Sequence, residues 1–198
     1  GGGVGPRMAL LFRGGAGTMR GSWGSGFVAS TPFLEETEAA GLSRLEPLAN
    51  LKAETAETTS FDVSYSAGNL ETGLTFFGSN IDDAVRLETL TTDRVQMVNV
   101  NGVTRTRGIE ALMRWRLDDL VVTSSYLYTD ASEPNENDVG RRTVPLTPRH
   151  SAGLVAIWEV EEKGRIGFEV YYTGTQSLED NPYRMESDPY FEVGLLGE

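Results

Sequence analysis

Between residues 96 and 129 the chain repeats every second residue, and that period decides most of what can be built from it. Ile109, Ala111, Met113, Trp115 and Leu117 share one parity, while Glu110, Arg114 and Arg116 take the other. After the turn pair Asp118-Asp119, Leu120, Val122, Tyr126 and Tyr128 alternate with Thr123, Ser125 and Thr129. Successive side chains of a strand point to opposite faces. The spacing therefore predicts a hairpin with one apolar, aromatic-tipped face and one charged, hydroxyl-rich face.

The same period recurs along the chain. Met19, Trp23, Phe27 and Ala29 oppose Arg20, Ser22, Gly24 and Gly26; Phe61, Val63 and Tyr65 oppose Asp62 and Ser64; Leu70, Thr72, Leu74 and Phe76 oppose Glu71, Gly73 and Thr75. Later, Ala152, Leu154, Ala156, Trp158 and Val160 alternate with Ser151, Gly153 and Glu159, and Ile166, Phe168, Val170 and Tyr172 with Gly167, Glu169 and Thr173. With a last run over 190–195, about nine strands are expected. Connections alternate between short ones (14–16, 68–69, 118–119, 162–164) and long ones (30–52, 88–94, 131–147, 176–188). The expected fold is all-β: an antiparallel up-and-down meander, part of a transmembrane β-barrel with tight turns at one end and long loops at the other. The apolar band in each strand covers about nine residues, matching the roughly 9–11 that a tilted strand needs to cross a bilayer. Tyr65, Trp115 and Trp158 precede short turns, whereas Phe27, Tyr126, Tyr128 and Tyr172 lie towards long loops. Two such levels are what interfacial aromatic girdles produce. The alternative is a soluble antiparallel β-sandwich binding module, whose aromatics fill a core between two sheets.

Bulk properties narrow the function. A formal charge of -12 argues against nucleic-acid partners, because phosphate neutralisation needs clustered Lys and Arg. Without cysteine there is no disulfide framework and no thiolate metal site. No run of about 20 apolar residues offers a transmembrane helix, and no secretory signal is read in the opening glycines and the short run 8–12. Gly1 in first place suggests a fragment or a processed piece. Gly14-Gly15-Ala16-Gly17 lacks the spacing of a phosphate cradle and reads as a turn. Residues 32–40, with Thr31 as cap and Pro32 in the first turn, are expected to form a short helix. The acidic run Glu35-Glu36-Thr37-Glu38 reads as a solvated face.

Several segments in order then carry a family resemblance. Gly24-Ser25-Gly26-Phe27-Val28-Ala29-Ser30-Thr31-Pro32 is similar to a G-x-G-F-x-A-P approach to a long loop, and Asn50-Leu51-Lys52-Ala53-Glu54-Thr55 to N-P-x-L-K-P-E-T without its prolines. Ile81-Asp82-Asp83-Ala84-Val85 is similar to a strand end D-D-x-I. Gly108-Ile109-Glu110 matches Gly-Val-Glu, and Pro145-Leu146-Thr147-Pro148-Arg149-His150 matches P-x-x-P-x-H. Over residues 20–175 the chain resembles the C-terminal part of the TonB-dependent receptor barrel. The resemblance implies a 22-stranded barrel of which this chain holds about nine strands, with the plug domain, the energy-coupling box and the closing strands outside residues 1–198. It implies a bacterial outer-membrane location and, as partners, outer-membrane lipid, a TonB complex acting through the plug, and a nutrient such as a ferric siderophore or cobalamin. Glu110, Arg114, Arg116 and Glu169 would then line the lumen, and the 131–147 and 176–188 loops would be candidates for ligand capture, with no individual residue singled out.

No catalytic chemistry competes with this. The pairs Asp82/Asp83, Asp118/Asp119 and Glu161/Glu162 invite a glycosidase reading, but two of them sit in tight turns where carboxylates face water. His150 is the only histidine, so neither a histidine metal cluster nor a Ser-His-Asp set can form without it. Its place after Pro148-Arg149 suits an interfacial position. No catalytic residue, metal site or cofactor is expected.

Overall fold

A computed structural model of the chain describes residues 5–29, 31–32, 41–48, 50–135, 140–160, 162–178 and 181–198. Alternation becomes strand almost everywhere it occurs. In chain order the strands are β1 (Arg7–Gly14), β2 (Gly17–Val28), β3 (Glu54–Ala67), β4 (Leu70–Asp82), β5 (Val85–Thr91) and β6 (Arg94–Asn99). They continue with β7 (Val103–Leu117), β8 (Leu120–Pro134), β9 (Arg141–Thr143), β10 (His150–Val160), β11 (Gly164–Thr173) and β12 (Tyr190–Gly197). The main sheet runs β1-β2-β3-β4-β7-β8-β10-β11-β12, with β9 paired to β8, and every pairing is antiparallel. This is the expected nine-strand meander.

Three of the short turns share one backbone device. Gly15, Gly68 and Asp118 each occupy the first loop position with φ of 56°, 60° and 43°. Positive φ there matches the turn to the twist of its flanking strands. Asp118 manages it without glycine because its short polar side chain tolerates the left-handed region.

Two expectations change, and a third is not tested. The helix over 32–40 lies, beyond Pro32, outside the described residues. The stretch taken as one hairpin from residue 96 is two structures: Arg94–Asn99 belongs to β6, which pairs with β5 as a separate two-stranded sheet, and the long hairpin begins at Val103. Residues 88–94 are therefore the tip of a hairpin and not a plain connection. Finally, β8 does not stop at Asp130. It runs to Pro134 and receives β9 at Ser132↔Thr143. Ladder hydrogen bonds are backbone bonds and need no apolar side chains, so pairing outlasts the hydrophobic pattern.

The sandwich alternative is overturned. It needs a second sheet on the apolar face, and the only other sheet among the described residues is the small β5–β6 hairpin. The fully buried apolar side chains among them are Val95, Met97 and Ala131, none of which belongs to the apolar band of the main sheet.

Candidate functional site

Directly paired residues of an antiparallel ladder share a face, so the register writes rows across the sheet. One row reads Phe12, Met19, Val63, Leu74, Ala111, Tyr126, Ala152, Tyr172 and Phe191, one residue from each strand. Nearer the short turns another reads Leu70, Trp115, Val122, Ala156, Phe168 and Leu195. Large apolar side chains on this face stand open: Phe12 is 69% exposed, Trp158 51% and Leu195 82%. Water does not tolerate a contiguous apolar surface on this scale, so the face requires an apolar surrounding.

The band has an edge at each end. Towards the long loops, past a row of Phe61, Phe76, Ile109 and Tyr128, comes the row Trp23, Thr59, Gly78, Arg107 and Asp130. Trp23 Nε1 donates to Glu57 Oε1 at 2.7 Å, and Arg107 donates to the Ser79 carbonyl at 2.8 Å and to Asn80 Oδ1 at 2.9 Å. Just inside this edge lie Tyr126, Tyr128, Tyr172 and His150; Tyr65, Trp115 and Trp158 lie towards the turns. Rings with a polar handle collect at such boundaries because one side is greasy and the other wet.

The opposite face is polar. Its rows include Arg20, Asp62, Thr75, Glu110, Leu127 and Ser151, and Glu71, Arg114, Thr123, Val155 and Glu169. Asp62 accepts from Ser60 at 3.1 Å and from Thr75 at 3.0 Å, while Ser60 and Ser22 share a 2.8 Å bond. Glu110, Arg114, Arg116 and Glu169 all fall on this face. Arg116 bonds Glu71 at 2.8 Å, and the Tyr171 hydroxyl donates to Glu169 at 3.2 Å, so the four do not come together as one site.

The remaining sequence candidates disperse. Asp118/Asp119 forms a turn; Asp83 leaves β4 with φ 54° and pairs with Lys52 at 3.1 Å; Glu161 is outside the described residues. Among the described residues no three His, Asp or Glu side chains gather as a metal site. His150 lies on the outward face at the loop end, where its Nδ1 and the Tyr126 hydroxyl are 2.8 Å apart and its ring centroid is 5.3 Å from that of Tyr128. That aromatic cluster went unread in the sequence, because its members lie on two strands joined by a long connection. Near the 131–147 and 176–188 loops, Arg142 pairs with Glu133 at 2.6 Å and Ser177 bridges to Glu186.

A two-faced sheet with girdles and unequal ends narrows the families to membrane barrels, and the model of the TonB-dependent receptor-like β-barrel family matches residues 3–196. The chain belongs to that family. TonB-dependent receptors are outer-membrane receptors and transporters. The FrpB iron transporter from Neisseria meningitidis superposes with a TM-score of 0.77 at 12% identity, covering 98% of this chain and 32% of that one. The ferric enterobactin receptor PfeA of Pseudomonas aeruginosa, solved with enterobactin, gives 0.74 at 18% identity over 98% and 32%. The copper transporter OprC gives 0.72 at 15% over 96% and 30%. This TonB-dependent receptor-like chain thus spans about a third of the length of those structures. At such identities the superpositions carry the fold alone. A comparison with curated proteins finds no match.

Proposed function

We propose that the chain is a wall segment of a bacterial outer-membrane TonB-dependent receptor. That receptor takes up a scarce nutrient, a metal chelate such as a ferric siderophore, or cobalamin, and is driven by a TonB complex acting through a plug that other parts of the receptor supply. The observation that carries this reading is the outward face: an apolar band, continuous across nine strands and bounded by aromatic residues at both ends, on a sheet that has no second layer among the described residues. The names of the similar structures, an iron transporter, a ferric enterobactin receptor and a copper transporter, favour a metal chelate as cargo. In this reading the polar face lines the lumen, and the 131–147 and 176–188 loops meet the ligand at the outer surface.

Membrane fractionation tests the location. The full receptor is expected in the outer-membrane fraction, extracted only by detergent, with a gel mobility that shifts on heating. A soluble, cooperatively folding monomer obtained without detergent would sink the proposal. Cargo is tested by growth of a deletion strain on ferric siderophores, copper chelates or cobalamin as sole source. Unchanged growth on every one removes the nutrient-uptake reading.

A further inference from the structure

The β5–β6 hairpin joins the wall through an irregular step. On the wall side Asp82 pairs with Val103. On the hairpin side Val85 pairs with Asn99, and the Val100 N–H donates to the Ala84 carbonyl at 2.7 Å. Between these pairs Asp83 stands alone on one strand, facing Asn101 and Gly102 on the other. Two residues opposite one make a β-bulge, which bends a ladder and re-aims whatever follows it. Asp83 and Gly102 both take positive φ, 54° and 113°.

One side of the step is tied down. The Asn99 amide donates to the carbonyls of Asp83 at 2.7 Å and Lys52 at 3.0 Å, and its oxygen accepts from the Lys52 N–H at 2.8 Å. The Lys52 ammonium in turn pairs with Asp83 at 3.1 Å. Asn101 has no such ties. It is exposed, belongs to no ladder pair, and its amide makes no hydrogen bond among the described residues. Its neighbour must be glycine, because a Cβ at residue 102 would come within 2.9 Å of Pro134 Cγ. The fold thus keeps a glycine directly after an exposed, untied asparagine, and this is the one Asn-Gly pair in the sequence.

We propose that Asn101 is a self-modification site through which the hairpin comes loose from the wall as the protein ages. The Gly102 backbone nitrogen, which no Cβ screens, attacks Cγ of Asn101. The new N–Cγ bond closes a five-membered succinimide, the bond from Cγ to the side-chain nitrogen breaks, and ammonia leaves with the proton lost by Gly102. Water then opens the ring. Addition at Cγ gives aspartate, whereas addition at the main-chain carbonyl gives isoaspartate, whose backbone runs through Cβ and Cγ and is one carbon longer. No oxidant or reductant takes part. The lengthened strand is the one that already carries the extra residue of the bulge. It cannot keep both Val103 opposite Asp82 and Val100 on Ala84, and the bonds of Asn99 hang on the second of these.

The test incubates the full receptor in mild detergent at mildly alkaline pH and follows each asparagine by peptide mass spectrometry. Isoaspartate is labelled by an isoaspartyl methyltransferase. The peptide holding Asn101 is expected to gain isoaspartate about tenfold faster or more than those holding Asn69, Asn80 or Asn99. Asn101→Gln, which would have to close a six-membered ring, removes the label. Aged parent gains protease cleavage within residues 83–102, while fresh Asn101→Asp, which carries the charge without the extra carbon, does not. Heat-shifted mobility shows that each sample is folded.

A rate at Asn101 no greater than at Asn69, which sits in an exposed turn without a following glycine, would overturn the proposal. So would modification confined to the denatured chain, aged parent that resists cleavage, or equal cleavage of fresh Asn101→Asp. The receptor reading fails separately: a soluble chain that still forms isoaspartate at residue 101 and loses the hairpin defeats that reading and leaves this inference standing.

Discussion

Gly108 shows how closely the polar face is packed. A Cβ added there would approach the Tyr128 carbonyl oxygen to 2.5 Å and enter the ring of Phe77. The ring could swing aside, but the carbonyl belongs to the ladder. Gly108→Ala is therefore expected to cost about 1–3 kcal/mol, read as a lower urea midpoint of the heat-shifted band, and adding Phe77→Ala should not restore it. Full rescue by the second change would show that the ring alone demands glycine. The two faces can be separated by neighbouring residues on β10. Leu154 points outward in mid-band and Val155 lies on the other face, paired with Thr123 and Glu169. Leu154→Arg is expected to cost about 2–4 kcal/mol, because the charge enters hydrocarbon, while Val155→Arg meets water and a carboxylate and should fold nearly as well as the parent. Equal urea midpoints for the two variants would refute the face assignment.

At the scale of elements, the β5–β6 hairpin stands apart from the wall. Val95 and Met97 are 4% and 7% exposed, the tightest burial in β6. The segment after the short 3-10 turn at Leu42–Arg44 packs beside it: Leu45 bridges to Val95, Glu46 N–H donates to the Val95 carbonyl at 2.9 Å, and Arg94 pairs with Glu46 at 2.7 Å. Two long connections thus form one small folded cap. Met97→Ala should loosen it by about 2–5 kcal/mol, seen as new protease cleavage within residues 83–102 while the heat-shifted mobility of the barrel is unchanged. Loss of both together would mean that cap and wall fold as one unit.

The contrast explains what the sequence could reveal. Strands facing lipid must keep one parity apolar, so Ile109 to Leu117 and Leu120 to Tyr128 declared themselves, as did the turn at Asp118-Asp119. Strands above that band carry no such demand. Asp130 and Ser132 broke the pattern without ending β8, and Val95, paired with Thr89 in β5, also bridges to Leu45, a pairing no local period encodes. The polar face was legible as a face, but its pairs were not: Arg116 meets Glu71 only because β4 and β7 are neighbours across the excursion of β5 and β6.

For the whole molecule the decisive feature is that the sheet has ends. β1 and β12 close the strand order on either side, and each has a neighbour on one flank only among the described residues. An edge strand offers a row of backbone N–H and C=O groups to any partner, and in hydrocarbon each unsatisfied group costs several kcal/mol. In the proposed wall the outward face asks for lipid while the edges forbid it, and further strands continuing the sheet on both sides would reconcile the two demands. As a wall segment, residues 1–198 expressed alone with an outer-membrane targeting signal should therefore give aggregate or degraded chain and no heat-shifted monomer. Supplying the remaining strands of the receptor as separate polypeptides should restore a heat-shifted, protease-resistant complex that contains both edges. Should the isolated chain fold alone in the membrane, as a monomer that shifts on heating, its edges must be satisfied by closure of the sheet on itself. The proposed role as part of a larger wall would then have to be abandoned.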